Sequence, residues 1–233
     1  MSLSQRVLLP ELMDDPSLEE SRHYAALDGL RRINWASAST RLLWSPIRRL
    51  AGELNVRKLR VLDIATGGGD VPLRLWRNAR RHNLDLDFVA ADISPRALEF
   101  ARAKIEAAGA DIELRCLNPL IDDIPEDFDV VMCSLFLHHL GDRDARGLLA
   151  TMAEASRHLV LVHDLLRCRR GLALAYLATR LLSASDVVHT DGPRSVRAAF
   201  SINEVRELAN EAGMSEFDVR RHWPFRYLLQ WRR

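Results

Sequence analysis

Residues 61–70 read VLDIATGGGD, a short apolar run that leads into three consecutive glycines and then an acidic residue. The apolar run has the length and composition of a buried strand. Glycines after a strand allow a tight turn and a close approach of the backbone to a ligand, and the helix that begins next offers unpaired N–H groups. The segment therefore predicts a strand, a loop and a helix that together bind a nucleotide-like ligand.

Two common nucleotide-binding patterns do not fit this loop. The dinucleotide pattern G-x-G-x-x-G, aligned on Gly67 and Gly69, would place its third glycine at Pro72, which cannot provide the close helix–strand contact. The phosphate-binding pattern that ends in G-K-[ST] is absent as well. The next apolar run ends at Asp92, whose carboxylate could accept both hydroxyls of a ribose. Capping of the helix at Ser94 is the alternative role for Asp92.

Short apolar runs alternate with helical patterns from about residue 59 onward, which indicates a parallel sheet built from βαβ units. The predicted strands cover residues 60–64, 86–91, 112–117, 128–134 and 159–163. The predicted helices between them cover residues 71–81, 95–108 and 143–156. Asp70 is the expected N-cap of the first helix, and Ser94 with Pro95 opens the second. This order predicts a doubly wound α/β fold.

Helical patterns flank this core on both sides. Residues 17–54 carry apolar residues at helical spacing and predict two helices. After the fifth strand, residues 171–183 and 202–212 predict two more helices. Between these two lie residues 187–197, whose turn-forming residues predict a polar loop able to close over the site.

The last part of the chain predicts an antiparallel hairpin. Its strands would cover residues 216–221 and 225–231, and the alternation in the second predicts one buried face. We therefore divide the chain into a helical cap, residues 1–55, and a core, residues 56–233. Within the core, residues 165–200 form a lid or substrate insertion.

Composition restricts the function classes. The chain has 33 Lys and Arg against 32 Asp and Glu, a net charge of +1 that offers no bulk attraction to nucleic acid. Cys116, Cys133 and Cys168 are far apart, which predicts neither a disulfide framework nor a zinc site and favours a reducing cytoplasm. No stretch approaches the roughly 18 uninterrupted apolar residues of a membrane span. We expect a cytoplasmic protein without a nucleic-acid partner or stable membrane insertion.

The strand, the glycine loop and the following acid together resemble the class I S-adenosylmethionine-dependent methyltransferases, whose first motif is an acid followed by G-x-G-x-G. Asp63, Ala65, Gly67 and Gly69 fall on that motif, with Ala65 in place of its first glycine. We expect the added methyl group to shift the loop slightly and ligand binding to be retained. The resemblance implies a seven-stranded, doubly wound, Rossmann-like sheet with an N-terminal helical cap and a C-terminal antiparallel hairpin.

The same resemblance implies S-adenosylmethionine as the cofactor. In that family the residue after the third strand lies beside the adenine, which here is Leu117 or Asn118. Asn118 can both donate and accept hydrogen bonds, although a turn before Pro119 would use it equally well. The residues predicted to contact the cofactor are Asp63, Ala65, Thr66, Gly67, Gly69, Asp92, Ile93, Leu117, Asn118 and Ser134.

Catalytic residues are expected after the fourth and fifth strands, because ligands of open α/β sheets bind beyond the carboxyl ends of the strands. Residues 134–140, SLFLHHL, resemble the corresponding segment of methyltransferases that act on small phenols and quinol precursors. A neutral imidazole can accept a phenolic proton near neutral pH. The candidates are His138, His139, His163 and His189, and a structural hydrogen bond to a backbone carbonyl is the alternative for each.

Metal-assisted catechol methylation is a rival mechanism that needs clustered oxygen ligands. Asp142, Asp144, Asp164 and Asp186 show no recognisable ligand spacing, and the adjacent His138 and His139 would seldom ligate one metal together. We therefore expect a metal-free reaction.

Three further segments, residues 63–72, 187–197 and 221–226, resemble bacterial methyltransferases found alongside type III polyketide synthases. That resemblance implies secondary metabolism, with O-methylation of a phenolic polyketide or phenolic lipid. Asn34 would contact the methyl donor or the acceptor, and Arg32 would meet the donor's carboxylate or cap a helix end. Tyr176 is the predicted substrate contact of a leucine-rich helix, which could otherwise be core, a homodimer face or a wall for a lipid chain.

Two other functions stay open at this point. The first is C-methylation of a quinone precursor, in which the acceptor loses a ring proton in place of a phenolic proton. The second is a non-catalytic domain that binds S-adenosylmethionine and regulates a partner enzyme. A nucleic-acid methyltransferase is disfavoured, because the N/D-P-P-Y-type motif is missing after the fourth strand.

Overall fold

A computed structural model of the chain describes residues 3–15, 17–36, 39–124 and 127–233. Its strands are β1 (Lys58–Ile64), β2 (Asp85–Asp92), β3 (Ile112–Cys116), β4 (Phe128–Ser134), β5 (Ser156–Leu165), β6 (Asp218–His222) and β7 (Arg226–Arg232). They form one seven-stranded sheet in the order β3-β2-β1-β4-β5-β7-β6. Strands β1 to β5 pair in parallel, and β7 is antiparallel to both of its neighbours. The doubly wound α/β fold with a C-terminal antiparallel hairpin is confirmed.

Helices connect and flank these strands. They are α1 (Glu20–Ala36), α2 (Ser39–Leu54), α3 (Asp70–Arg81), α4 (Pro95–Ala107), α5 (Asp142–Ala155), α6 (Arg169–Leu182), α7 (Asp186–Ala198) and α8 (Ile202–Glu211). Short 3-10 helices lie at Leu12–Asp14 and Leu137–His139. Within the described ranges, no helix has both the length and the apolar character needed to cross a membrane.

The sheet is covered by helices on both faces, which explains why its strands read as nearly continuous apolar runs. Successive residues of a strand point to opposite faces, so Val61 and Leu62 of β1 belong to different core clusters. The cluster that contains Val61 includes side chains of α2, α3 and α4. The cluster that contains Leu62 includes side chains of α5 and α8. Helix α2 is thus part of the core packing.

Helices α1, α6 and α7 pack on one another, and α1 and α6 reach over the carboxyl ends of the parallel strands. Ala26 of α1 packs with Val187 and Val188 of α7 in a small separate cluster. Arg32 of α1 donates a hydrogen bond to the carbonyl of Leu182 at 2.7 Å, which ties α1 to the end of α6. Arg32 therefore serves as a link between helices.

Residues 187–197 are helical, and the prediction of a polar loop there was wrong. Helix α7 begins after Ser185, whose side chain accepts a hydrogen bond from the backbone N–H of Val188. A Cβ atom at Gly192 would lie 2.5 Å from Cγ2 of Thr179. Gly192 is therefore explained by the close approach of α6 and α7, and its turn-forming character misled the sequence-based prediction.

Two smaller predictions also need correction. The N-cap of α3 is Gly69, and Asp70 is the first helical residue, where it forms an ion pair with Lys104. Strand β7 is buried on both faces, because Tyr227, Leu229 and Trp231 belong to one core cluster and Leu228 belongs to the other. Arg226, expected on an exposed face, is only 4% exposed.

Candidate active site

A cavity of about 1000 Å³ opens at the carboxyl ends of β1 to β5. Among the predicted site residues, its lining includes Asn34, Ala65, Thr66, Gly67, Asp92, Ile93, Leu117, Asn118, Ser134, His138 and His139. The structure thus brings most of the predicted cofactor residues and two of the four histidines to one cavity. The other predicted site residues, which do not line it, are Asp63, Gly69, His163, Tyr176 and His189.

The glycine loop is built from alternating left-handed residues. The φ angles are +55° at Ala65, +54° at Gly67 and +70° at Gly69. Glycine adopts this conformation freely, whereas a residue with a Cβ atom is strained there. A Cβ atom at Gly69 would also lie 3.0 Å from Cβ of Ala101, so this glycine lets α3 start close to α4. Ala65 therefore carries backbone strain at the first position of the motif.

Replacement of Ala65 by glycine should relieve this strain. We expect Ala65→Gly to raise the free energy of unfolding by about 0.5–1 kcal/mol, because relief of the left-handed conformation exceeds the added entropy of the unfolded chain. Urea unfolding would measure the change. Ala103→Gly, at an exposed position inside α4, is the matched control and should lower stability by about 1 kcal/mol. Equal destabilisation by both substitutions would show that Ala65 is not strained.

Asp92 ends β2 and connects the glycine loop to the next helix. Its Oδ2 accepts a hydrogen bond from the N–H of Gly67 at 2.7 Å, and its Oδ1 accepts one from the N–H of Ser94 at 2.9 Å. The cap of α4 is provided by Ser94 itself, whose Oγ accepts from the N–H of Ala97. Burial raises the pKa of Asp92, while these two N–H contacts act to lower it. Each carboxylate oxygen keeps a further lone pair for a ligand hydroxyl.

Asp63 lies beneath the loop, at the end of β1. It is fully buried and accepts a hydrogen bond from Oγ1 of Thr66 at 2.7 Å. Burial raises the pKa of Asp63 to about 7 from its ordinary value of 3.8, with a smaller contribution from the nearby charge of Asp92. Asp63 therefore holds the loop through its hydrogen bond with Thr66 and does not itself line the cavity.

The raised pKa of Asp63 makes its ionised form destabilising at neutral pH. Because the folded protein binds this proton more tightly than the unfolded chain, the cost is absent below pH 3.8 and complete above about pH 7. We expect Asp63→Asn, which keeps an oxygen acceptor for Thr66, to be more stable than the wild type by about 2 kcal/mol at pH 8. The advantage should shrink toward pH 4 in urea unfolding. An advantage that grows on acidification would contradict the assignment.

His138 is held by a carboxylate at the end of the neighbouring strand. Its backbone N–H donates to Oδ2 of Asp164 at 3.0 Å, and its ring Nδ1 lies 2.7 Å from Oδ1 of the same residue. Burial acts to raise the pKa of Asp164, but the charge and hydrogen bonds of His138 lower it below the ordinary value. Donation from Nδ1 to Asp164 leaves the lone pair of His138 on Nε2.

The N-terminal segment, residues 3–15, lies across this end of the cavity, and we call it the strap. It is anchored by Asp191, which accepts hydrogen bonds from the N–H groups of Leu12 and Met13 at 2.9 and 3.0 Å. The strap brings Glu11 and Asp14 into the lining of the cavity, beside the two adjacent histidines. No sequence motif marks these two acids, and the sequence analysis missed them.

His139 is surrounded by the acids of the strap. Its Nδ1 lies 3.3 Å from Oδ2 of Asp14, and its Nε2 lies 3.8 Å from Oε2 of Glu11. Burial acts to lower the pKa of His139, but these carboxylates outweigh it and raise the pKa to about 9. Both ring nitrogens of His139 therefore face negative charge.

Three predicted site residues lie away from the cavity. His163 is fully buried on β5, where its Nδ1 lies 3.1 Å from Oγ of Ser134 and burial lowers its pKa to about 3. His189 Nε2 donates to the carbonyl of Ser183 at 2.8 Å. The hydroxyl of Tyr176 accepts a hydrogen bond from Arg197 near the surface. The structure gives these side chains structural contacts and no contact with the cavity.

Asn118 combines a turn with a position in the lining. Its Oδ1 accepts a hydrogen bond from the N–H of Leu120 at 3.1 Å, and its own N–H donates to Asp122. These two hydrogen bonds form a turn, and a turn was the alternative role that the sequence offered for Asn118. Contact between Asn118 and an adenine stays a prediction.

The part of the cavity beneath α1 and α6 is mainly apolar, with His23, Asn34 and Thr179 as polar members of its lining. Its lining includes Leu27, Leu30, Ile33, Leu174, Ala178 and Leu182. The cavity thus joins a polar end, at the glycine loop and Asp92, to a chamber walled by aliphatic side chains, with His138 and His139 also in its lining.

A known protein family matches a part of the chain that begins in β1, the strand before the glycine loop. Residues 61–159 match the protein family described as "Methyltransferase domain", a segment that contains the glycine loop, Asp92, His138 and His139. This segment, which is less than half of the chain, is similar to methyltransferase domains. The predicted resemblance to S-adenosylmethionine-dependent methyltransferases is confirmed at this level, and the association with type III polyketide synthases stays a prediction.

Known proteins similar to the chain extend this result. A demethylmenaquinone methyltransferase of Thermus thermophilus is 34% identical over 119 residues, which are 49% of this chain and 52% of that protein. The chain thus spans about half the length of the curated relative it matches.

Solved structures of methyltransferases share the fold around this domain. The apo form of the S-adenosylmethionine-dependent methyltransferase SibL has a TM-score of 0.61 at 20% identity, over 95% of this chain and 60% of that chain. Magnesium protoporphyrin IX methyltransferase of Synechocystis with bound SAM has a TM-score of 0.59 at 14% identity, over 94% and 99%. At this identity the likeness establishes the fold of the methyltransferase domain.

Proposed function

We propose that the protein transfers a methyl group from S-adenosylmethionine to a hydroxyl oxygen of a small phenolic acceptor. One observation carries the proposal: a single continuous cavity joins the glycine loop and Asp92 to His138, whose ring is oriented by the buried Asp164. Methyl transfer is an in-line displacement, so donor and acceptor must meet in one cavity with the acceptor's proton near a base. A shared cavity with His138 in its lining supports the proposal on both requirements.

The polar end of the cavity fits the cofactor. The oxygens of Asp92 face the loop and can accept the two ribose hydroxyls, and we propose that Leu117 and Asn118, which line the same cavity, lie beside the adenine. Ala65 and Gly67 expose backbone at the same edge. S-adenosylmethionine supplies an electrophilic methyl group on a sulfonium, and the Synechocystis relative was solved with this cofactor bound. The residues of this chain would orient the cofactor.

His138 is the proposed proton acceptor. Its Nδ1 donates to Asp164, so Nε2 presents a lone pair in the lining of the cavity, and Asp164 stabilises the imidazolium that forms. His139 faces carboxylates with both nitrogens and is held in its charged form, which suits an anchor for the strap. The proton of the acceptor hydroxyl would thus pass to Nε2 of His138 as the oxygen attacks the methyl group.

The apolar chamber favours an aromatic acceptor with aliphatic substituents. Residues 165–200 contribute α6, whose Leu174, Ala178 and Leu182 face α1 across the cavity, and we propose this part as the substrate insertion. A ring placed beside His138 could extend an alkyl chain along this wall. A phenolic polyketide or phenolic lipid combines both features, in line with the resemblance to methyltransferases that accompany type III polyketide synthases.

Radiolabelled methyl transfer tests this proposal. Purified protein would be incubated with labelled S-adenosylmethionine and a panel of alkylresorcinols, dihydroxynaphthalenes and quinol precursors, and the position of the new methyl group would be determined by NMR. We expect transfer to a phenolic oxygen. Tight cofactor binding without transfer to any acceptor would favour a regulatory domain, and absence of cofactor binding would refute the proposal.

A second candidate function is C-methylation of a quinone precursor. It is favoured by the 34% identity to the demethylmenaquinone methyltransferase of Thermus thermophilus. The same assay separates the two, because C-methylation removes a ring proton and leaves the hydroxyl intact. Deuterium on the ring of the acceptor would be lost in C-methylation and retained in O-methylation.

A further inference from the structure

We infer that Glu11, His138 and His139 form a binding site for a divalent transition-metal ion of the Zn²⁺ type, and that its occupation inhibits the enzyme. Each of the three side chains offers one ligand atom, and these atoms lie within 4.8 Å of one another. Imidazole nitrogens with one carboxylate oxygen are a donor set that zinc accepts. The sequence analysis argued against a metal held by the adjacent His138 and His139, and Glu11, which completes the cluster, is far from both along the chain.

The distances leave room for an ion between the three groups. Glu11 lies 3.9 Å from Nε2 of His138 and 3.8 Å from Nε2 of His139, which is too long for a hydrogen bond in either case. Ligand atoms around a tetrahedral zinc ion are about 3.4 Å apart, given ligand distances near 2.0–2.2 Å. Small rotations of the side chains, with release of the proton that His139 carries when no ion is bound, would therefore place all three around one ion.

Outer contacts orient both imidazoles for this purpose. Nδ1 of His138 lies against Asp164 and Nδ1 of His139 lies against Asp14, so each ring turns Nε2 toward Glu11. Metal-ligating histidines commonly donate their second nitrogen to a carboxylate in this way. Glu11 is itself held by a hydrogen bond from the hydroxyl of Ser195. The carboxylates around the two rings also supply the negative charge that a dication requires.

An ion can reach the site from the cavity, and the ligand atoms determine which ions bind best. All three side chains line the cavity, so an ion can enter from it and keep a coordination position directed into it. Two imidazoles with one carboxylate favour Zn²⁺ and Co²⁺ over Mg²⁺ and Ca²⁺, which prefer oxygen ligands.

Occupation has a consequence for catalysis. An ion bound to Nε2 of His138 uses the lone pair that would accept the acceptor's proton, so methyl transfer should fall as the site fills. This inhibition rests on the proposed function, whereas the binding of the ion does not.

Titration with Co²⁺ tests the binding without reference to activity. Untagged full-length protein, first stripped with a chelator, would be titrated with Co²⁺ while the visible absorption of tetrahedral cobalt is recorded, and Zn²⁺ would then displace it. We expect one Co²⁺ per chain, with affinity reduced about tenfold or more in Glu11→Gln and in His139→Asn. His158→Asn, at a partly exposed histidine near Asp129, is the matched control and should bind like the wild type.

The outcomes separate the two proposals. Absence of one-to-one Co²⁺ binding, wild-type affinity in both Glu11→Gln and His139→Asn, or equal loss in His158→Asn would overturn the metal site and leave the proposed function untouched. Methyl transfer would be measured in parallel with chelator and with Zn²⁺. Inhibition of the wild type by Zn²⁺ that weakens in Glu11→Gln supports the regulatory part, and activity unaffected by a filled site overturns that part. Intact Co²⁺ binding in a protein that transfers no methyl group would count only against the proposed function.

Discussion

His138→Ala is expected to lower kcat for methyl transfer by about 10²–10⁴-fold, with little change in affinity for the cofactor. Loss of a positioned general base has an effect of this size. The substitution removes the lone pair at Nε2 and leaves the glycine loop and Asp92 unaltered, since the ring of His138 bonds to Asp164 and not to these residues. Steady-state kinetics with the preferred acceptor, in the presence of a chelator, would measure the change in kcat. Calorimetric titration with S-adenosylhomocysteine would measure the affinity.

Two controls make this expectation specific to proton transfer. Free imidazole should restore part of the activity of His138→Ala, because it can enter the space left by the ring. Asp164→Asn should also lower kcat, because its amide can donate to Nδ1 and favour the tautomer that carries the proton on Nε2. A His138→Ala enzyme that keeps kcat within threefold of the wild type would exclude His138 as the base.

Much of the fold could be predicted from local sequence. The apolar runs of a parallel sheet buried on both faces are easy to recognise, and β4 (Phe128–Ser134) has the predicted bounds. Errors arose where a residue had two physical explanations. Gly192 and Pro193 suggested a turn, but Gly192 permits close helix packing and Pro193 lies inside α7. Local composition cannot distinguish a turn glycine from a packing glycine.

The candidate site was predicted only where its residues follow a strand directly. The carboxyl ends of parallel strands meet at one edge, so Gly67, Asp92 and His138 could be brought together from the chain order. Glu11 reaches the cavity through tertiary contacts of the strap, and no periodic pattern or motif encodes such contacts. His163 shows the opposite situation, because a polar residue near the end of a strand can also lie buried in the core.

Asp92 and Asp164 are suited to different roles because their carboxylates lie in different surroundings. The carboxylate of Asp92 accepts hydrogen bonds from two backbone N–H groups at the edge of the cavity. It keeps further lone pairs for the neutral hydroxyls of a ligand. Asp164 is fully buried and directs its oxygens to His138 and the backbone N–H of Leu165. Asp92 is therefore suited to binding, and Asp164 is suited to orienting a group that gains a positive charge.

Asp92→Ala is expected to weaken cofactor binding by about a hundredfold while the acceptor end of the cavity stays intact. Two hydrogen bonds from hydroxyls to a carboxylate contribute about 1.5 kcal/mol each, which corresponds to this factor in Kd. The substitution also frees the N–H of Gly67, so the loop that approaches the ligand loses one of its anchors. Calorimetric titration with S-adenosylhomocysteine would measure the change.

The matched control for Asp92 is Asp87→Ala on the same strand, an exposed carboxylate near Lys58 that should bind the cofactor like the wild type. A third variant, Asp92→Asn, keeps one oxygen that can accept from Gly67 or Ser94 and loses the paired acceptor for the ribose. Affinity of Asp92→Asn near that of Asp92→Ala would assign the effect to the lost ribose contact, and affinity near that of the wild type would assign it to the loop. Unchanged affinity in Asp92→Ala would exclude Asp92 as the acid that binds the ribose, because no arrangement of the glycine loop could compensate fully for two lost hydrogen bonds to a carboxylate.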